Sequence, residues 1–462
     1  MRTHGPAYEN DLLTHPIAGL LRRLAVPAGV GFLFNTMFNV VDTYYGGLVS
    51  TQALAAMSLS FPVFFLILAV GSGISTGATA LMGHSLGAGK IEQARIYAAQ
   101  TISFGFIHAV LLTIGGLAAS PLLFRMLGAS GPYLFMALSY MNVIFFGTVS
   151  FFFNYVFNSI LNASGDTRSF RNFLIGGFFL NLILDPWLLF GGLGVPPLGL
   201  PGIAAATVLV QLAGNCYLLA RTRKTDLLSG FRLSSLLPRK AIYLDLARQG
   251  FPASLNMLTV ALGIFVITWF LSRFGRDAVA AYGIATRLEQ LALLPIMGLN
   301  IATLTLVAQN NGALLLQRVN DIILTALRIG VSVTIPVGVT VYLLAGELMG
   351  LFSSDPVVIA IGAGYLHVAA FVFCAYVILY INVFALQGMK RPLFAVLIGL
   401  LRQVAAPVPV FWCLAILFGL GVRGIWWGIL LVTWTAAVVS IFYVRRTLRE
   451  LRMIGTEGTG DS

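Results

Sequence analysis

Charge is scarce in this chain: only 10% of its 462 residues are Asp, Glu, Lys or Arg, less than half the share that coats a water-facing globule. A soluble globule of this size is excluded. Cysteine is almost missing, and Cys216, Cys374 and Cys413 all lie in apolar stretches without ligand-like spacing, so neither a disulfide framework nor a metal motif is indicated. They read as small apolar packers. A cleavable leader is not expected either. The first apolar stretch follows Arg22-Arg23 and has no small-residue cleavage site, which makes it a retained helix. With 58% hydrophobic residues, disorder is excluded as well.

What the chain does have is a succession of apolar runs, each long enough to cross the hydrocarbon core, which takes about 20 residues. Turn and charge punctuation predicts twelve helices, over 24–48, 54–86, 97–119, 133–157, 170–192 and 200–220, then 250–271, 278–307, 322–344, 357–385, 392–420 and 424–444. The expected fold class is all-α integral membrane, with twelve transmembrane helices in two pseudo-symmetric six-helix bundles. Its parts are a tail (1–23), an N-lobe (24–220), a basic linker (221–249), a C-lobe (250–444) and a second tail (445–462). No connection is long enough for a further folded domain.

The formal charge of +12 would suggest nucleic acid in a soluble chain, but its distribution argues otherwise. Of the 28 Lys and Arg, Arg125, Arg273, Arg276 and Arg423 fall on one side and Arg287 and Arg402 inside helices. The other 22 share the opposite side, seven of them between Arg221 and Arg248. The positive-inside rule then puts both termini in the cytoplasm of an inner-membrane protein. The partner implied is the lipid bilayer, anionic lipid included, and no nucleic acid.

The chain also repeats itself. A shift of 225 pairs Pro27 with Pro252, Ala55-Ala56 with Ala280-Ala281, Gly73 with Gly298 and Gly87-Ala88 with Gly312-Ala313. A shift of 223 pairs Gly165 with Gly388, Arg168 with Arg391, Gly176 with Gly399 and Pro186 with Pro409; one of 222 pairs Gly202-Ile203 with Gly424-Ile425. Six helices per copy keep the orientation, so a pseudo-twofold axis along the membrane normal follows. Transporters of this build hold their site between or within the lobes.

Positions that are polar in one copy and apolar in the other are not required by the scaffold. Asp42 in the first helix maps to Ile267, Asn181 and Asp185 in the fifth to Val404 and Val408, and Thr207 in the sixth to Ile429. At 1.5 Å per residue, Asp42, Asp185 and Thr207 all lie about 10 Å below the outer face. Asn181 and Asp185, four apart, share a helical face, and Pro186 removes a helix hydrogen bond and bends the segment. Acids at such depth face a cavity or a partner. If the two carboxylates meet, burial and like charge oppose having both ionised, which makes a proton or Na⁺ exchangeable there. Thr207 and Asn181 oxygens suit either ion.

Arg287 and Glu289, opposite Pro62 and Phe64 of the repeat, are candidates for a gating or C-lobe polar site, or a pair for stability. Arg402 is expected to reach the cytoplasmic interface or an internal carbonyl. His108 and His367 lack acidic neighbours in sequence and read as satisfied core histidines. Asn162-Ala163-Ser164 matches a glycosylation sequon on the expected cytoplasmic side, a chance match. Gly71, Gly73 and Gly77 read as close helix packing.

These residues together resemble the multidrug and toxic compound extrusion (MATE) family over nearly the whole chain. The similar features are Pro27 with Val41-Asp42-Thr43 and Gly46-Gly47, Ala55-Ala56, the Gly87-Ala88-Gly89 turn and Gly165-Asp166-Thr167; Asn181-Leu182-Ile183-Leu184-Asp185-Pro186 is the most specific. The resemblance implies two bundles forming a V that exchange drug and cation by alternating access. Within the family the chain is similar to the DNA-damage-inducible-protein-F branch, whose coupling carboxylates would fall on Asp42 and Asp185 with Asn181 and Thr207 beside them. The other bacterial branch has an acid in the seventh helix, where this chain has Leu255-Asn256-Met257.

The function expected is secondary active antiport: amphipathic or cationic organic compounds leave in exchange for H⁺, or for Na⁺ held at Asp42 and Asp185, with Pro27 and Pro186 as helix bends. No cofactor is expected, and the chain is expected to be a monomer. The alternative is a lipid-linked oligosaccharide or lipid flippase, which would favour a cationic cavity that only Arg287 and Arg402 offer. A membrane enzyme would need a clustered catalytic set, and none is visible.

Overall fold

The structure is a computed structural model that describes residues 10–457. Apolar spans follow one another as Ile17–Val49, Thr51–Gly87, Ile91–Met126, the broken pair Gly131–Phe146 and Thr148–Ala163, Arg168–Phe190, and Leu200–Thr222. The second six are Lys240–Ser272, Arg276–Gly312, Leu316–Leu343, Pro356–Gly388, Leu393–Leu417 and Gly421–Glu457. Helices suit a bilayer because every backbone group bonds within its own segment. Ser50 lets the second span start directly after the first, accepting from the Ala53 N–H at 3.0 Å. Asp355 caps the tenth in the same way, accepting from Val357 N–H at 2.8 Å ahead of Pro356, a proline placed where no helical donor is needed.

Several helices outrun their predicted ends on the side that carries both described termini. The seventh starts at Lys240 instead of 250, and the twelfth continues to Glu457 instead of 444. Hydropathy marks where hydrocarbon ends, while a helix continues through polar residues in the headgroup layer. The fourth span breaks at Gly147 by 44°. A Cβ on Gly147 would meet Val208 at 2.2 Å, so the missing side chain lets the sixth span pack against the break.

The eleventh span departs furthest from the plain helix expected. It is α over Leu393–Leu400, π over Leu401–Ala405, α over Pro407–Phe411 and π again over Trp412–Leu417. Pro407 and Pro409 donate no backbone hydrogen bond. The ladder widens around them, with Ala406 N–H bonding Leu401 O and Phe418 N–H bonding Cys413 O, both at 2.8 Å. Its repeat counterpart, the fifth span, stays α-helical through Pro186.

One hydrophobic core is built from residues between Phe38 and Leu246, and another from residues between Phe270 and Ile429. A third joins Leu12, Leu20, Leu21 and Leu24 to the eighth to twelfth spans. The two halves approach each other closely at the terminus-bearing end, and the contacts obey the repeat. A Cβ on Gly73 would clash with Gly250 and Ser254, and one on Gly298 with Ala25 and Gly29. These two sets are images under a shift of 225. Gly87 against Gln309, and Gly312 against His84, form a second such couple. Glycine removes the side chains that would hold these backbones apart.

Part of the expected N-terminal tail is ordered structure. The first span is already helical at Ile17, and Asp11–Thr14 forms a single turn capped by Asn10. Asn10 donates to the Gln309 side chain at 2.7 Å, Gln309 donates to Ala163 O at 2.6 Å, and Asn310 donates to Leu12 O at 3.2 Å. Leu12, 3% exposed, sits against Gly165. This turn therefore rests across both halves.

Candidate functional site

Three spans bring the four residues singled out by the repeat comparison to one place in the N-terminal half. Asp42 is 7% exposed, Thr207 4%, and Asn181 and Asp185 0%. Thr207 donates its hydroxyl hydrogen to Asp42 Oδ2 at 3.2 Å while staying within 3.1 Å of Ile203 O. The Asp42 and Asp185 carboxyl groups lie within interaction distance of each other, and the Asn181 amide lies beside Asp185 without meeting hydrogen-bond geometry. Asp42 Oδ1, both Asp185 oxygens and both Asn181 amide atoms are buried with no hydrogen-bond partner among the described residues.

That arrangement has a chemical consequence. Ionised carboxylates only accept hydrogen bonds, so two of them can bond to each other only through a proton on one, or through a shared cation. Buried polar groups left unpaired are costly. A proton would satisfy the pair directly. The two carboxylates, the Thr207 hydroxyl and the Asn181 carbonyl also form a hard oxygen set of the kind an alkali cation takes. Among the described residues no three His, Cys, Asp or Glu side chains converge as a metal site.

A fifth residue joins them. Tyr140 of the fourth span has both Asp42 and Asp185 as charge neighbours. Comparing the halves passes over it, because tyrosines on the fourth and tenth spans face carboxylates in both. In the C-terminal half the tenth-span Tyr365 donates to Glu289 Oε2.

The C-terminal residues correct two expectations. Arg287 and Glu289 make no ion pair with each other: the ion pairs among the described residues do not include one between them. Two residues apart on a helix, they face different ways; Arg287 is exposed while Glu289 is turned to Tyr365, with Tyr376 and Arg402 nearby. Arg402, expected at the cytoplasmic interface or on a carbonyl, is 8% exposed and lies over the Tyr376 ring at 5.3 Å and the Tyr380 ring at 6.0 Å. The π turn that carries it redirects its side chain into the half, a rotation the sequence period does not reveal.

The remaining candidates have local partners. His108 Nδ1 is 2.8 Å from Phe104 O, and His367 packs on Tyr342 at 4.7 Å. Asn162 of the sequon is buried. Pro27 and Pro186 both lie inside their helices.

Comparison with known proteins adds independent findings. The family model MatE matches twice, over residues 27–187 and 252–412, and both limits of the second match lie 225 residues after those of the first. The chain is 31% identical over 405 residues to the FAD transporter of Shewanella oneidensis, covering 87% of this chain and 89% of that protein. It is 27% identical over 416 residues to the probable multidrug resistance protein NorM of Thermotoga maritima, covering 89% and 88%. The outward-facing structure of a multidrug resistance MATE family transporter of the MOP superfamily superposes with a TM-score of 0.90 at 25% identity, over 97% of this chain and 100% of that one.

Proposed function

We propose, for a chain that belongs to the MatE family of multidrug efflux transporters, that it is an inner-membrane antiporter with its termini in the cytoplasm, coupling export of amphipathic or cationic organic compounds to entry of H⁺ or Na⁺ at Asp42 and Asp185. The observation that carries this is the meeting of two buried carboxyl groups with oxygens that have no donor among the described residues. Ion entry from the outer side neutralises the pair and draws the first and fifth spans together. Pro27, which donates no backbone bond inside the first span, is the weak point where that span yields. The two six-helix lobes then rock around the site, and the cavity of the N-lobe shrinks as the cation occupies it. Ion and substrate compete, and linkage makes that competition reciprocal.

A relative described as an FAD transporter, at 31% identity, favours a second substrate reading: an aromatic, phosphate-bearing nucleotide. Arg402 among Tyr376 and Tyr380 supplies the cation and ring faces such a ligand needs. An oligosaccharide-lipid flippase has less support, since Arg287 does not join Arg402 in that cluster.

The test is efflux from proteoliposomes under an imposed pH gradient, with and without Na⁺, using ethidium and FAD in separate arms. The parent protein should respond to one gradient, and Asp42→Asn should lose that response. Unchanged gradient-driven efflux in the variant would falsify the coupling assignment.

A further inference from the structure

The segment joining the two halves is clamped along the third span. Gln100 donates to Ser235 O at 2.7 Å and Leu237 O at 2.8 Å and accepts from the Arg239 N–H at 2.8 Å. Arg95 Nε donates to Asp226 O at 2.8 Å, and Leu227 is buried at 2% exposure. Behind this strap lies a cleft of about 110 Å³ lined by Arg95, Arg239, Glu92 and the chain from Ser229 to Phe231. Glu92 accepts from one Arg95 nitrogen. Among the described residues the Arg239 guanidinium has no ion pair.

Phe231 lines the cleft, and the strap residues Leu233 and Leu237, each two positions from the lining residue Ser235, are apolar and outward-facing. Leu233 is 79% exposed, Leu237 68% and Phe231 41%. In water such residues would be a liability. At the mouth of a basic cleft, where two membrane spans leave the bilayer, they match a ligand with an acidic head and hydrocarbon tails. The charge agrees: residues 221–248 hold seven Lys and Arg against Asp226 and Asp245, and the Asp245 carboxylate is covered by the Tyr97 hydroxyl at 2.8 Å.

We propose that this cleft is a headgroup site for an anionic phospholipid, its phosphate between Arg95 and Arg239 and its acyl chains over Phe231, Leu233 and Leu237. Basic pockets at the cytoplasmic ends of spans bind such lipids, with roughly a fivefold change in affinity per cation near the surface. Because the strap is bonded to the third span through Gln100 and runs directly into the seventh at Lys240, a lipid held here fastens the connection between the halves.

The test needs no transport. The full chain, reconstituted in nanodiscs of mixed phosphatidylglycerol and phosphatidylcholine and washed in detergent, is examined by native mass spectrometry for retained phosphatidylglycerol. Arg239→Gln should retain about fivefold less, and so should Leu233→Ser with Leu237→Ser. Arg239 contributes only its backbone N–H to the clamp, so its variant should leave the fold intact. Arg445→Gln with Arg449→Gln, which removes two exposed cations elsewhere at the same end, should match the parent. Equal retention by Arg239→Gln and the parent overturns the site, as does displacement of the lipid by millimolar inorganic phosphate. The readout is independent of ion coupling at Asp42, so either reading can fail alone.

Discussion

Gly83 and Ala308 are repeat partners of one another, 225 residues apart, and they touch: a Cβ on Gly83 would lie 2.9 Å from that of Ala308. A contact that is its own image under the repeat lies on the pseudo-twofold axis. The seam between the second and eighth spans therefore marks the axis about which the two halves are related, at the end where they are closed.

Cross-linking on the axis should hold that end shut. Gly83→Cys with Ala308→Cys, oxidised in membranes, should form a disulfide and abolish transport, with reduction restoring it. Gly83→Leu should act oppositely, since overpacking a tight contact costs about 1–3 kcal/mol. Amide exchange at the seam, over residues 83–88 and 308–313, should be faster in that variant.

Among the described residues, the hydroxyl of Thr207 is the one hydrogen-bond donor to the Asp42 carboxyl group. Thr207→Val keeps shape and removes the donor, at a cost of about 1.5–3 kcal/mol for a bond to a charged group. We expect at least tenfold weaker dependence on the coupling ion, and recovery in Thr207→Ser. Gradient-driven dye efflux in proteoliposomes measures both.

Glu289 is held by the Tyr365 hydroxyl, with Tyr376 and Arg402 nearby. Tyr365→Phe should lower stability by about 1.5–3 kcal/mol and leave the gradient dependence of efflux intact. Thermal unfolding in detergent, run beside the transport assay, separates these readouts. Loss of gradient dependence with unchanged stability would instead make Glu289 a second coupling group.

The turn Asp11–Thr14 rests on both halves through Leu12. Leu12→Asp places a charge in that contact, a change of several kcal/mol, and should release the turn. Amide exchange over residues 10–16 should then rise to the rate of an unprotected peptide. Retained protection would show that the turn is held by Asn10 and Asn310 alone.

The legible parts of the fold were those set by solvent. Apolar runs, charge asymmetry and the repeat were enough for twelve spans and their pairing, since each depends on local composition and the bilayer demands it everywhere. The candidate site was legible through asymmetry: Asp42, Asn181, Asp185 and Thr207 differ from their repeat partners. Tyr140 was not, because a tyrosine on an apolar span does not interrupt the hydropathy pattern, and the comparison of halves has nothing to detect when both carry one. Arg402 was misjudged because its direction depends on a π turn, and one added residue per turn rotates every side chain that follows.

Sequence alone thus determined that the protein is a duplicated membrane-spanning chain in which Asp42, Asn181, Asp185 and Thr207 have no polar counterpart in the second half, since hydrophobicity and charge act on each segment independently. Tertiary structure decided which groups meet: Thr207 with Asp42, Tyr365 with Glu289, and the Asn10 turn across the seam. Those pairings depend on how helices rotate and approach, and glycine contacts, proline-widened turns and distant packing set that geometry.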